Sequence, residues 1–254
     1  MGAIIAVVNQ KGGVGKTTTA MNLVAYLAAE GKRCLLVDLD PQANATSGLG
    51  FAQGVLEQGV YEVLSGALEP RAAVQRAELA GFDILPSTIS LAGAAVELVT
   101  ATQREYRLVQ ALGALKDDYD FLFIDCPPEL GLLTINGLVA SDMVLIPVQA
   151  EYFALEGLGQ LLNTINLVKA HLKPELQILG AVITMYDKRA RLSDNILNEL
   201  YNHFPEKIFR TVIPRTVRLA EAPSYGKSIL HYSPASRGAK AYERLAKEFI
   251  SLDW

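Results

Sequence analysis

Cysteine is almost missing from this chain: Cys34 and Cys126 are the only two in 254 residues. Two isolated thiols cannot build the disulfide framework of a small secreted domain, and neither stands at a metal-ligand spacing. Histidine is as scarce, and His171, His203 and His231 lie too far apart in sequence to support a zinc site. Aromatic residues make up 7%, so the apolar half of the chain is mostly Ala, Val, Leu and Ile, which suits buried parallel strands covered by helices. No apolar run approaches the roughly 18 residues that a membrane span needs. No basic-then-apolar leader opens the chain, and Ala6 stands where N-myristoylation favours Ser or Thr. These absences argue against secreted, zinc-built and integral membrane classes and leave a cytoplasmic protein as the expectation.

What is present is a recurring pattern of short apolar runs with helical stretches between them. The runs cover 3–9, 34–40, 82–86, 121–125, 143–149, 177–185 and 208–214, and the helical stretches include 17–30, 104–116 and 155–171. The runs are nearly continuous in apolar residues rather than alternating, as expected of strands covered on both faces. No Pro/Gly/Ser-rich linker, low-complexity tract or repeat interrupts them. The order predicts one α/β domain over 1–254, with a doubly wound, mostly parallel sheet and helices on both faces. Charge is uneven along it. The chain has a net charge of −4, but residues 186–240 carry ten Lys/Arg against five Asp/Glu, which is +5 and leaves −9 for the remainder. That asymmetry points to an anionic partner.

The most informative stretch is NQKGGVGKTT, residues 9–18. It follows a predicted strand and opens a predicted helix, the context of a phosphate-binding loop. Gly12, Gly13 and Gly15 let the backbone curl so that successive N–H groups face phosphate oxygens, and the helix N-terminus adds its positive end. Lys16 is placed to reach the β- and γ-phosphates, and the Thr17 hydroxyl to ligate Mg²⁺. The loop departs from G-x-x-x-x-G-K-[ST] in two ways: Gln10 replaces the leading glycine, and a second lysine, Lys11, stands inside it. Two ammonium groups in one small loop repel unless extra phosphate charge is near.

KGGVGKTT resembles the deviant Walker A motif of the ParA/MinD family of ATPases. The segments VDLDPQANATSGLG (37–50), FIDCPPELGLLTINGL (123–138), EYFALEGL (151–158) and VIPRTVRLAEAPSYGKSI (212–229) resemble ParA/Soj chromosome-partition proteins in particular. The resemblance covers essentially the whole chain and implies a deviant P-loop NTPase. In that family two protomers close face to face around two ATP molecules, and the extra lysine reaches the partner's nucleotide. Lys11 is then a charge supplied in trans to the leaving group. The loop residues Lys11, Gly12, Gly13, Val14, Gly15, Lys16, Thr17 and Thr18 bind the nucleotide, and Met185 and Pro214 lie beside the base.

Carboxylates complete the implied site. Asp125 ends the apolar strand FLFID, the Walker B arrangement, where it would hold Mg²⁺ through a bound water. Asp38 and Asp40 end another strand at the carboxyl edge where ligands bind. Strand alternation would send their side chains to opposite faces, which gives them different roles. The resemblance assigns Asp40 to orienting the attacking water, while Asp38 supports the magnesium shell and its loop. No loop arginine offers itself as a local finger, so ATP hydrolysis is expected to be slow until a ParB/Spo0J-type protein stimulates it. The family's ATP-bound homodimer binds double-stranded DNA without sequence preference. The candidates here are Lys188, Arg189, Arg191 and Arg218, with Arg215 and Lys227 as further cations. Arg215 has a competing reading at the nucleotide or dimer interface. A cytoplasmic, nucleoid-associated location follows. The alternative is a MinD-like peripheral membrane ATPase, but the stripe Tyr242, Leu245, Ala246, Phe249 and Ile250 in the last helix reads better as docked on the sheet.

Overall fold

The computed structural model describes residues 2–52, 54–150, 154–187 and 207–252. Seven strands form one sheet: β1 (Ala3–Val7), β2 (Cys34–Asp38), β3 (Gln75–Arg76), β4 (Phe82–Leu85), β5 (Phe121–Asp125), β6 (Met143–Gln149) and β7 (Gln177–Thr184). Their order is β3-β4-β2-β5-β1-β6-β7, parallel throughout except for the antiparallel β3–β4 pair. Every residue of β2 and β5 is buried, which is why these strands read as continuous apolar runs.

Side chains alternate into two cores, one on each face. Ile4, Ala6, Leu35 and Val37 enter one core, under α5 (Leu91–Glu97), α6 (Arg107–Gly113), α7 (Leu132–Ala140) and α8 (Ala154–His171). Ile5, Val7, Cys34 and Leu36 enter the other, under α1 (Lys16–Ala29) and the C-terminal helix Arg237–Ile250. The sheet is doubly wound, as expected. Three shorter helices, α2 (Asn44–Gly48), α3 (Val60–Ser65) and α4 (Pro70–Ala73), lie between β2 and β3.

The C-terminal helix starts at Ser236, whose hydroxyl accepts from the Ala239 N–H at 3.2 Å, a standard N-cap. Tyr242, Leu245, Ala246 and Phe249 are buried. Phe249 meets Phe121 edge-on, with ring centroids 5.2 Å apart, and lies 5.6 Å from Phe123. The apolar stripe is thus already covered by the sheet, and Ile250 is half-buried at its margin.

Two expectations need correction. The run 208–214 is no strand: it touches β7's line only through isolated bridges at Ile208 and Pro214. Phe209 donates to the Ala181 carbonyl and Ile213 to the Ile183 carbonyl, so four steps of this chain oppose two of β7. The bulged amides of Arg210 and Thr211 turn away and donate to Glu248 of the C-terminal helix, at 2.6 and 3.0 Å. The predicted helix 104–116 begins as a single 3₁₀ turn, Arg104–Tyr106, and ends at Gly113.

Candidate nucleotide site

The loop after β1 is anchored at several points. The Asn9 side chain donates to the Pro147 carbonyl at 2.8 Å and accepts from the Lys11 N–H at 3.0 Å. Gln10, in place of the usual glycine, donates to Gln160 of α8 at 2.8 Å. The Thr184 hydroxyl donates to the Val14 carbonyl at 2.7 Å. Gly15 precedes α1 at φ 89°, a left-handed conformation that glycine adopts without strain. No side chain caps α1 and no acidic residue occupies its first turn, so its leading N–H groups are available to an anion. A Cβ at Gly12 or Gly13 would meet nothing within 4 Å, which leaves the cradle open.

Lys16 is buried, and its ammonium donates to the Lys11 carbonyl at 3.2 Å. Burial pulls its pKa below that of a free lysine, while Asp125 and Asp40 oppose the shift. Asp125 is fully buried at the end of β5, yet neither carboxylate oxygen has a hydrogen-bond partner among the described residues. Burial and then the charge of Asp38 push this carboxyl well above the usual range, against the nearby Thr17 hydroxyl and Lys16. A buried carboxylate without a partner is costly, and a hydrated divalent cation beside Thr17 would satisfy both oxygens. The donor set fits magnesium, which prefers oxygen ligands and keeps several waters.

Asp38 and Asp125 are neighbours across the β2–β5 register. Asp38 is already engaged. Its Oδ2 accepts from the Thr46 N–H and hydroxyl, at 2.8 and 2.6 Å, and its Oδ1 from the Asp40 N–H at 3.3 Å. Burial raises its pKa to about 6 despite these bonds. Asp38 is thus bonded to the loop that follows it through Asp40 and Thr46. Asp40 is 7% exposed and accepts from the Gln42 N–H at 2.9 Å. Just beyond, Ala43 sits at φ 52°, a left-handed strain at a residue with a side chain.

A cavity of about 340 Å³ opens beside Gly15 and Thr18, and Met185, Pro214 and Arg215 line it with Thr184. Both residues expected beside the base thus face one cavity adjoining the loop. Met185 is itself left-handed, at φ 52°. Arg215 reaches toward the Met185 sulfur at 4.0 Å, which puts it at this cavity.

Of the expected DNA-contact residues, Lys188, Arg189 and Arg191 lie outside the described residues. Arg218 is exposed and pairs with Glu221 at 3.0 Å; Lys227 is exposed. Sequence reasoning missed Asn9, Thr46 and Thr184, which fix the loops through tertiary contacts. Their one signal is a polar residue at the end of an apolar run or inside a motif.

Residues 2–178 match the family model described as an AAA domain. The chain is 56% identical over 248 residues to the sporulation initiation inhibitor protein Soj of Bacillus subtilis (strain 168), covering 98% of both chains. It is 48% identical over 253 residues to the chromosome partitioning protein ParA of Myxococcus xanthus (strain DK1622), covering 100% of this chain and 89% of that one. Among solved structures, one titled cobyrinic acid a,c-diamide synthase from Mycobacterium smegmatis, with bound ADP and magnesium, superimposes with a TM-score of 0.87. It shares 41% identity and covers 98% of this chain and 94% of that one. With full-length relatives at this level of identity and the two-lysine loop in place, the chain belongs to the ParA/Soj family of chromosome-partitioning ATPases.

Proposed function

We propose that this chain is an ATP-hydrolysing switch for chromosome or plasmid segregation. The observation that carries the reading is the buried Lys16 near Asp125, whose carboxylate oxygens lack a hydrogen-bond partner among the described residues, at the mouth of an uncapped glycine loop. The loop N–H groups and Lys16 bind the phosphates of ATP. Thr17 and Asp125 hold Mg²⁺, with Asp38 behind them, and Asp40 orients water for in-line attack. Bound Mg·ATP supplies the phosphoryl group, which leaves as phosphate with ADP. Lys11 reaches the nucleotide of a second copy, so that ATP closes a homodimer. Hydrolysis is slow until a ParB/Spo0J-type partner stimulates it.

In the closed dimer Lys188, Arg189, Arg191 and Arg218 of both copies contact phosphates of double-stranded DNA without reading bases, and hydrolysis releases them. The protein then works in the cytoplasm on the nucleoid. The MinD-like membrane reading has less support, since the apolar stripe of the C-terminal helix is covered by the sheet and no helix among the described residues is long and apolar enough to cross a membrane. An amidation reaction drawing nitrogen through a cysteine nucleophile needs an accessible thiol of lowered pKa. Both cysteines are buried, and burial raises Cys34 to about 12 and Cys126 higher still.

The test is retention on random-sequence duplex DNA with ATP and with ADP over a salt series. Binding with ATP alone, falling by on the order of 10³ between roughly 50 and 200 mM salt for a dimer that neutralises about six phosphates or more, is the expected result. Equal, negligible retention in both nucleotides would remove the segregation reading.

A further inference from the structure

The segment that carries Lys227 is clamped to the phosphate site from two sides. On one side stands α2. Thr46, at its centre, is 2% exposed. It bonds Asp38 through both N–H and hydroxyl, and its Oγ1 accepts from the Ser87 N–H at 2.9 Å. Two residues on, Gly48 presses against α1 and the 3₁₀ turn Ala222–Tyr225. A Cβ there would lie 2.9 Å from Met21 Cε and 3.4 Å from Pro223 Cβ.

Gly50 and Gly226 then meet backbone to backbone. Both are left-handed, at φ 90° and 65°. A Cβ on Gly226 would lie 2.7 Å from Gly50 Cα, and one on Gly50 would lie 3.3 Å from the Gly226 carbonyl oxygen. On the other side, Asn22 of α1 donates to the Thr18 carbonyl at 2.8 Å and accepts from the Ile229 N–H at 2.7 Å. The outer surface of the clamped segment presents exposed Lys227 and Tyr225, the latter 65% exposed and stacked on Tyr232 at 4.9 Å. Tyr232 and Arg218 share the Glu221 carboxylate, each at 3.0 Å.

We infer that α2 and the Gly50–Gly226 contact transmit nucleotide state to the basic surface. The inference rests on the proposed ATP-switched DNA binding and names the linkage within it. Two glycine backbones in contact have no side chain that can rotate out of the way, so a displacement of the loop after Asp38 is passed to residues 222–227 rather than absorbed. Thr46 acts here as a positioning residue: it joins the loop to Asp38, while Asp38 neighbours Asp125.

The experiment compares the full-length wild type with Gly50→Ala, Gly226→Ala and Gly48→Ala, measuring binding of a fluorescent ATP analogue and DNA retention in ATP and in ADP. Gly50→Ala and Gly226→Ala leave every group of the nucleotide site in place and are expected, without DNA, to bind nucleotide within about threefold of wild type, yet to lose the ATP-over-ADP preference for DNA, since breaking the coupling removes only the mutual effect of the two ligands. Gly48→Ala is expected to keep that preference, because the flexible end of Met21 yields to the added methyl. A wild-type preference that persists in Gly226→Ala and Gly50→Ala would overturn the linkage and leave the proposed function standing. Loss of the preference in the wild type itself would sink both.

Because alanine is strained at these φ values, a second measurement leaves the glycines intact. Tyr225→Trp places a fluorescent reporter on the clamped segment. Its emission should differ between the ATP and ADP states, and combining it with Thr46→Val should abolish that difference while nucleotide still binds. An emission insensitive to nucleotide would overturn the inference even if the glycine variants failed to fold.

Discussion

Asp125 shows at a single residue how this site trades stability for binding. Its carboxylate is fully buried, has no hydrogen-bond partner among the described residues and neighbours a second buried acid, Asp38. Among the described residues the nearby Thr17 hydroxyl and Lys16 favour the charged form, and the burial of Lys16 disfavours its own ionised form. Asp125→Asn keeps the shape and removes the charge. The unliganded variant should be more stable by about 1 kcal/mol or more, because an unpaired buried charge costs more than an unpaired buried amide. For a chain of this size that corresponds to about 2–4 °C in Tm per kcal/mol. The same variant should lose the further rise in Tm that Mg²⁺ adds to nucleotide, and its hydrolysis. Thermal melts of both proteins, empty and with Mg·ADP, check this. A lower Tm in the empty variant would mean that the carboxylate stabilises the fold directly.

Among the elements, the C-terminal helix separates the two family readings most clearly. Phe249 packs between Phe121 and Phe123 on the sheet, so its ring belongs to the core and is not a spare face for lipid. Phe249→Ala should cost about 3–5 kcal/mol, read as a fall in denaturation midpoint at unchanged m-value, while sedimentation with anionic vesicles stays at background for both proteins. Vesicle binding by the wild type that the substitution removes would reverse this assignment. The same elements show what was legible in the sequence. β1, β2, β5 and β6 stood out because both faces are covered and nearly every residue is apolar. The run 208–214 looked alike, yet its pairing is broken by a bulge whose amides bond Glu248, nearly forty residues downstream. β3, two residues long, has no periodicity to detect. In the site, the glycine loop and Asp125 were readable because local sequence alone makes a strand–loop–helix and a strand-end acid. Thr46, Asn22 and the Gly50–Gly226 contact were not, because each depends on a partner brought near only by the fold.

At the scale of the whole molecule, the second lysine of the loop bears on the proposed pairing of two copies. Lys16 already supplies a buried cation, and its ammonium donates to the Lys11 backbone carbonyl. In the proposed two-fold dimer Lys11 would act across the interface, since an isologous contact would bring each loop to its partner's phosphates. That dimer would also double the cations of the basic stretch 186–240 available to one duplex. Lys11→Ala should therefore bind ATP about as a monomer of the wild type does, because the cradle and Lys16 are intact. It should stay monomeric by light scattering with a non-hydrolysable analogue and lose hydrolysis by on the order of 10²-fold or more, the usual effect of removing one transition-state charge. Its DNA retention should fall to the level of the ADP state, since retention needs both copies. A Lys11→Ala protein that still dimerised on the analogue and hydrolysed ATP normally would show that the lysine acts within its own loop, and the trans assignment would fail while the phosphate site stood.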